Sequence, residues 1–151
     1  MLVWRVSNHA SLDGEGGLYA AGRWHSKRAR IVYCAPNPAT ALLEMLVHAE
    51  IEVEDFPDTF RLLKIEIPDA VSREELDESG LSARWQADPQ LTRGIGDRWL
   101  AGKRSLLLRV PSAVVPETHN ILVNPQHPEA KRVKLIGSGE YHLDQRLLGR
   151  R

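Results

Sequence analysis

A chain of 151 residues and 17.0 kDa, with 42% hydrophobic and 26% charged residues, has the size and composition of one globular domain, spanning residues 1–151. No apolar run approaches the roughly 20 residues of a membrane span, the opening Met1-Leu2-Val3-Trp4-Arg5-Val6-Ser7 is too short and polar for a signal peptide, and a lone cysteine, Cys34, rules out an intrachain disulfide; a reducing, cytoplasmic setting is expected. The 20 basic and 20 acidic residues cancel, which argues against a broad basic field for nucleic acid, although residues 51–100 carry a net −6 and residues 101–151 a net +5.

The first element in chain order is a strand over Leu2 to Val6, where Leu2, Trp4 and Val6 alternate with Val3, Arg5 and Ser7. Asp13-Gly14-Glu15-Gly16-Gly17 is a loop. Arg30 to Ala35 is a second strand, with Ile31, Tyr33 and Ala35 on one face. Asn37 and Pro38 open a helix through His48, by an N-cap side chain and a proline at the first helical position. Apolar residues surround that helix, so it is expected to be buried. Phe60 to Ile67 forms a strand closed by Pro68. Ser72-x-x-Glu75 has a capping-box pattern and predicts a short acidic helix. Asp88 and Pro89 cap a helix carrying Trp99 and Leu100. Ser105 to Val110 is a nearly continuous apolar strand, expected to be buried. Strands at Asn120 to Val123 and Arg132 to Ile136 follow, then a short terminal helix expected over Tyr141 to Arg151, with Leu143 and Leu147 at helical spacing. Strands and helices do not alternate regularly, which points to an α+β fold.

Familiar chemistry motifs are absent. Gly14-x-Gly16-x-x-Tyr19 fails the dinucleotide fingerprint at its third glycine, and there is no phosphate-cradling Gly-Lys-Ser/Thr loop. The six histidines show no paired metal-ligand spacing, so no metal is expected. Cys34 reads as a small buried hydrophobe. Glu44 stands out as a carboxylate in the middle of an apolar helix. Such a group is either paired, with a core arginine or with His48 one turn on, or lines a cleft. Arg23-Trp24, after the glycine-rich loop, suits a flat anionic ligand or a surface arginine packed on tryptophan. Ser112, between Val110-Pro111 and Ala113-Val114-Val115-Pro116, reads on its own as a turn serine.

Taken together these stretches resemble the RES-domain toxins, named for Arg, Glu and Ser. The parts are Gly22-Arg23-Trp24, Val32-Tyr33-Cys34-Ala35, Ala39-Thr40-Ala41-Leu42-Leu43-Glu44, Gly96-Asp97-Arg98-Trp99-Leu100, Val110 to Pro116 and Asn120 to Pro128. Where the family often has Asn after Gly-Arg-Trp, this chain has His25. The resemblance implies an ADP-ribosyltransferase-like split β-sheet with flanking helices around an NAD⁺ cleft. It implies a bacterial toxin partnered by an Xre-family antitoxin. Its activity would consume NAD⁺ as substrate, with no cofactor, by hydrolysis or by phosphorolysis with inorganic phosphate as co-substrate. Arg23, Glu44 and Ser112 then correspond to the Arg, Glu and Ser of the name, and Tyr33 and Arg5 to further residues of the cleft.

The residue types suit that chemistry. Nicotinamide leaves NAD⁺ without help from a general acid, so what needs stabilising is an oxocarbenium-like ribose. Glu44 is expected to supply that charge, Arg23 and Arg5 to hold pyrophosphate, Tyr33 to pack on the nicotinamide or its ribose, Trp24 to give a stacking wall, and Ser112 to orient neighbours rather than attack. Two other readings remain open at this level: protein mono-ADP-ribosylation at the same site, and an antitoxin-binding module without activity, in which Glu44 is only a buried ion-pair partner. A nuclease is a weaker option, given the balanced charge.

Overall fold

The alternating stretch at the start of the chain forms β1 (Leu2–Val6) in a computed structural model that describes residues 1–49 and 52–149. One helical turn, α1 (Gly16–Tyr19), follows the glycine-rich loop and leads to β2 (Val32–Cys34). α2 (Pro38–His48) begins as its residue types dictate: the Asn37 side chain accepts from the Thr40 N–H at 2.8 Å. Next come β3 (Thr59–Glu66) and β4 (Arg73–Glu75). α3 (Pro89–Gly102) starts on Asp88, which accepts from the Leu91 N–H. β5 (Leu107–Pro111), β6 (His119–Val123) and β7 (Lys134–His142) complete the set.

These elements make an α+β fold of two sheets. One is antiparallel in the order β1-β3-β7; the other runs β2-β6-β5-β4, with only β4 and β5 parallel. Among the described residues a single bridge, Trp4 to Ala35, joins them, so the sheets part beyond it. The second sheet is covered on both faces, which is why Leu106 to Val110 is apolar except for the exposed Arg109. Val32, Cys34, Leu107, Ile121 and Val123 pack against Val3 and Ile65 of the first sheet and Ile67 just beyond β3. Leu108, Val110 and Leu122 point the other way, into Trp24, Trp85, Trp99 and Leu100. Cys34 is buried, and burial pushes its thiol up to about 12, as befits an inert core residue.

Four local expectations fail. Ser72 to Glu75 is not a helix start: Ser72 Oγ donates to Glu129 and accepts from the Leu106 N–H, Glu75 pairs with Arg109, and the segment is β4. α2 is not sunk in the core; only Ala41 is buried, and Leu43 and Val47 are exposed. The strand expected from Arg132 begins at Lys134, after a 3₁₀ turn over Pro128–Arg132. It then runs through His142, paired along β3, where a terminal helix was expected, and a 3₁₀ turn at Gln145–Leu148 follows. The end of that expected helix, Arg150 and Arg151, lies outside the described residues.

Candidate active site

The Gly22–Ser26 loop is set by contacts that leave it little freedom. α3 supports it from one side. Thr92 Oγ1 donates to the Arg23 carbonyl at 2.5 Å, Arg93 Nε to the Gly22 carbonyl at 2.9 Å, and Asp97 accepts from the Ser26 N–H and Oγ–H at 2.8 and 2.6 Å. Gly96 faces the loop directly; a Cβ there would lie 1.6 Å from the Trp24 carbonyl oxygen, so no side chain fits. From the other side, the Tyr33 hydroxyl accepts from the Trp24 N–H and sits 2.7 Å from His25 Nδ1. His25 Nε2 faces the Ala20 carbonyl, which only accepts. The ring proton is therefore on Nε2, and Tyr33 donates to Nδ1. Burial pulls the His25 imidazole below its ordinary value, outweighing the carbonyls of Ala20 and Gly17, and it raises the Tyr33 phenol well above its usual range. Both groups are neutral fasteners. Gly22 is glycine because a Cβ would sit 2.4 Å from the Tyr33 oxygen.

Glu44 lies on the inner side of α2. Its Oε1 accepts from Ser112 Oγ at 2.7 Å and from Asn120 Nδ2 at 2.8 Å, and its Oε2 is 3.0 Å from His48 Nε2. Ser112 is buried just beyond the end of β5, and its oxygen accepts from the N–H groups of Val114 and Val115. With those bonds made, the hydroxyl proton turns to Glu44. Burial alone would lift the Glu44 carboxyl, but the bonds from His48, Ser112 and Asn120 prevail and hold it below its ordinary value. Glu44 is thus a fixed anion.

Both groups open onto one cavity of about 510 Å³. β1 contributes Arg5, the loop Arg23, β2 Tyr33, α2 Glu44 and His48, α3 Arg93 and β6 Asn120. Arg5 reaches the Tyr33 carbonyl through Nη1 at 3.4 Å, and its buried Nε has no partner. Arg23 Nη1 donates to the Gln86 carbonyl at 2.7 Å. Of the sequence-selected residues, Arg5, Arg23, Tyr33 and Glu44 therefore meet at this cavity, and Ser112 reaches it through Glu44. Trp24 borders it, but its indole is 2% exposed and packs on Trp85 at 5.8 Å, so the ring is a core anchor for the loop rather than a free stacking face. Among the described residues no group of three His, Cys, Asp or Glu is placed to hold a metal ion.

The description of the RES domain as a family matches residues 2–144. The chain belongs to the RES-domain family. A "Toxin Res" of Pseudomonas putida is 50% identical to this RES domain over 135 residues, covering 89% of this chain and 92% of the relative. A Sphingobium protein named Prs ADP-ribosylating toxin is 35% identical over 96% of this chain and 95% of its own. Among solved structures, the M. tuberculosis MbcT-MbcA toxin-antitoxin complex matches with a TM-score of 0.74 at 18% identity, over 98% of this chain and 86% of that one, a likeness of fold.

Three lining residues of this RES domain escaped sequence reasoning. His48 was visible only as a partner one turn from Glu44. Asn120 read as an ordinary strand residue, since only the packing of β6 behind α2 turns its amide onto a carboxylate. Arg93 gave no local signal, because its role depends on α3 lying against a loop some 70 residues earlier.

Proposed function

We propose that this RES toxin binds NAD⁺ in the cavity and cleaves its nicotinamide–ribose bond. The observation that carries the reading is a carboxylate fixed by three donors on the wall of a cavity whose lining guanidinia have no carboxylate partner among the described residues. The volume lies within the roughly 300–1,000 Å³ of small-molecule sites. Arg23 and Arg5 hold the pyrophosphate by charge-assisted hydrogen bonds. As the bond between ribose C1′ and the nicotinamide nitrogen breaks, its electron pair leaves with nicotinamide, which departs neutral. Positive charge then develops on the ribose. Glu44 stabilises it, needing no reorganisation because Ser112 and Asn120 already hold Oε1. Oε2, with one protein partner, has a lone pair left for a ribose hydroxyl. Water or inorganic phosphate then bonds to C1′ and gives up a proton.

Transfer of ADP-ribose to a protein is the second reading, favoured by the name of the Sphingobium relative. An inactive antitoxin-binding module would need Glu44 only as a buried ion-pair partner; Glu44 does pair with His48, but it also lines the cavity and is held by Ser112 and Asn120. We assign the restraint of the toxin to an Xre-family antitoxin that covers the cavity or keeps it from closing, a role supported by the toxin-antitoxin assembly of the structural neighbour. Incubating the purified chain with NAD⁺, with and without inorganic phosphate, and identifying products by mass spectrometry tests the reading. Free nicotinamide with ADP-ribose, or with its phosphorylated form, is expected. Intact NAD⁺ throughout would overturn it, and a modified protein in place of free ADP-ribose would select transfer.

A further inference from the structure

We propose that Arg93 of α3 is a further substrate-binding residue, which clamps the dinucleotide pyrophosphate together with Arg23. The inference rests on the reading of the cavity as an NAD⁺ site and adds a residue that the Arg-Glu-Ser pattern does not contain. Arg93 lines the cavity and is half-buried. One of its five N–H donors, on Nε, is engaged by the Gly22 carbonyl at 2.9 Å. Its Nη groups have no carboxylate: among the described residues no Asp or Glu carboxylate oxygen lies within 4.0 Å of the guanidinium of Arg93, nor of Arg23 or Arg5. The nearest acidic neighbour along the helix, Asp97, is occupied by Ser26. Exposed arginines elsewhere do find partners, as Arg104 does in Glu74 and Arg109 in Glu75.

A tether to one carbonyl needs only a neutral donor. A full charge held half-buried, with no counter-ion, is costly unless a ligand supplies the anion. Position also matters. Arg93 grips the carbonyl immediately before Arg23, and Arg23 is itself tied to Gln86 just ahead of α3, so both guanidinia flank the same stretch of cavity wall. A pyrophosphate carries two anionic groups in a row, and two planar forks match it as one cannot.

The test is titration calorimetry on the purified chain with two probes: ADP-ribose, which has the pyrophosphate, and nicotinamide riboside, which lacks it. Arg93→Gln should weaken ADP-ribose binding about 10- to 100-fold, the range for charge-assisted hydrogen bonds, and leave nicotinamide riboside binding unchanged. Arg98→Gln, an exposed position on the same helix, should change neither. ADP-ribose bound by Arg93→Gln as tightly as by wild type overturns the proposal. Equal loss of both probes also overturns it, because that is the mark of a collapsed loop. Failure of the wild-type chain to bind ADP-ribose would remove the NAD⁺ reading itself, and this proposal with it.

Discussion

The two walls of the cavity solve opposite electrostatic problems. On the α2 side a single carboxylate is met by donors from Ser112, Asn120 and His48, so its charge is fixed before any ligand arrives. On the side of the loop and α3, Arg23 and Arg93 are tied to backbone carbonyls and, among the described residues, have no carboxylate to compensate their charge. The first arrangement is suited to stabilising charge that appears during a reaction. The second is suited to capturing an anion that arrives with the ligand. The division predicts that damage to one wall slows turnover and damage to the other weakens binding.

The largest effect should come from Glu44→Gln, which keeps the shape and the Oε1 acceptor but removes the charge. Nicotinamide release should fall about 10³-fold, at the upper end for loss of one preorganised electrostatic group, with the melting temperature little changed. A large loss of folding instead would return Glu44 to a structural role. Ser112→Ala removes one of three donors, and kcat should drop about 10- to 100-fold with KM nearly constant. The opposite wall gives the converse: Arg23→Lys leaves a point charge in place of a fork, and KM should rise about 10-fold with kcat close to wild type. If Arg23→Lys changed kcat and Ser112→Ala changed KM, the division of labour would be wrong.

The smallest effect is on pH-dependent stability, and it differs between the two walls. His25 titrates below its ordinary 6.5 when folded, so the unfolded chain takes up the proton first and stability declines as the pH drops below that value. Glu44 titrates below its ordinary 4.5, so the stability its carboxylate confers is complete above that value and is lost as the pH falls through the folded one. Thermal melts from pH 8 to pH 3 should therefore show two descending steps. His25→Gln should remove the upper step and Glu44→Gln should shrink the lower, to which Glu129 and the lowered aspartates Asp13, Asp69, Asp77 and Asp144 also contribute; a curve flat down to pH 4 would contradict the neutral, buried state of His25.

How much of this was legible in the residues follows from the range of each interaction. β1, α2 and β5 were readable because alternation, the Asn37 cap and the apolar run from Leu106 are local. Arg23, Glu44 and Ser112 were recognisable as a set only through the family pattern, since Glu44 alone fitted a pair with His48 as well as a cleft, and its geometry satisfies both. β4 was misread because a capping box is also a local signal, and here the non-local bond from Ser72 to Glu129 and the parallel pairing with β5 prevail. β7 outran its expected end because Gly137 and Gly139 break the apolar pattern, while pairing with β3 supplies what propensity does not. His25 is a fastener of the arginine loop through Tyr33.

One titration tests the central claim most directly: intact NAD⁺ added to the Glu44→Gln chain, with heat of binding and free nicotinamide followed in the same samples. Binding close to that of ADP-ribose to the wild-type chain, with almost no nicotinamide released, is the predicted result. Nicotinamide released at near the wild-type rate would contradict it.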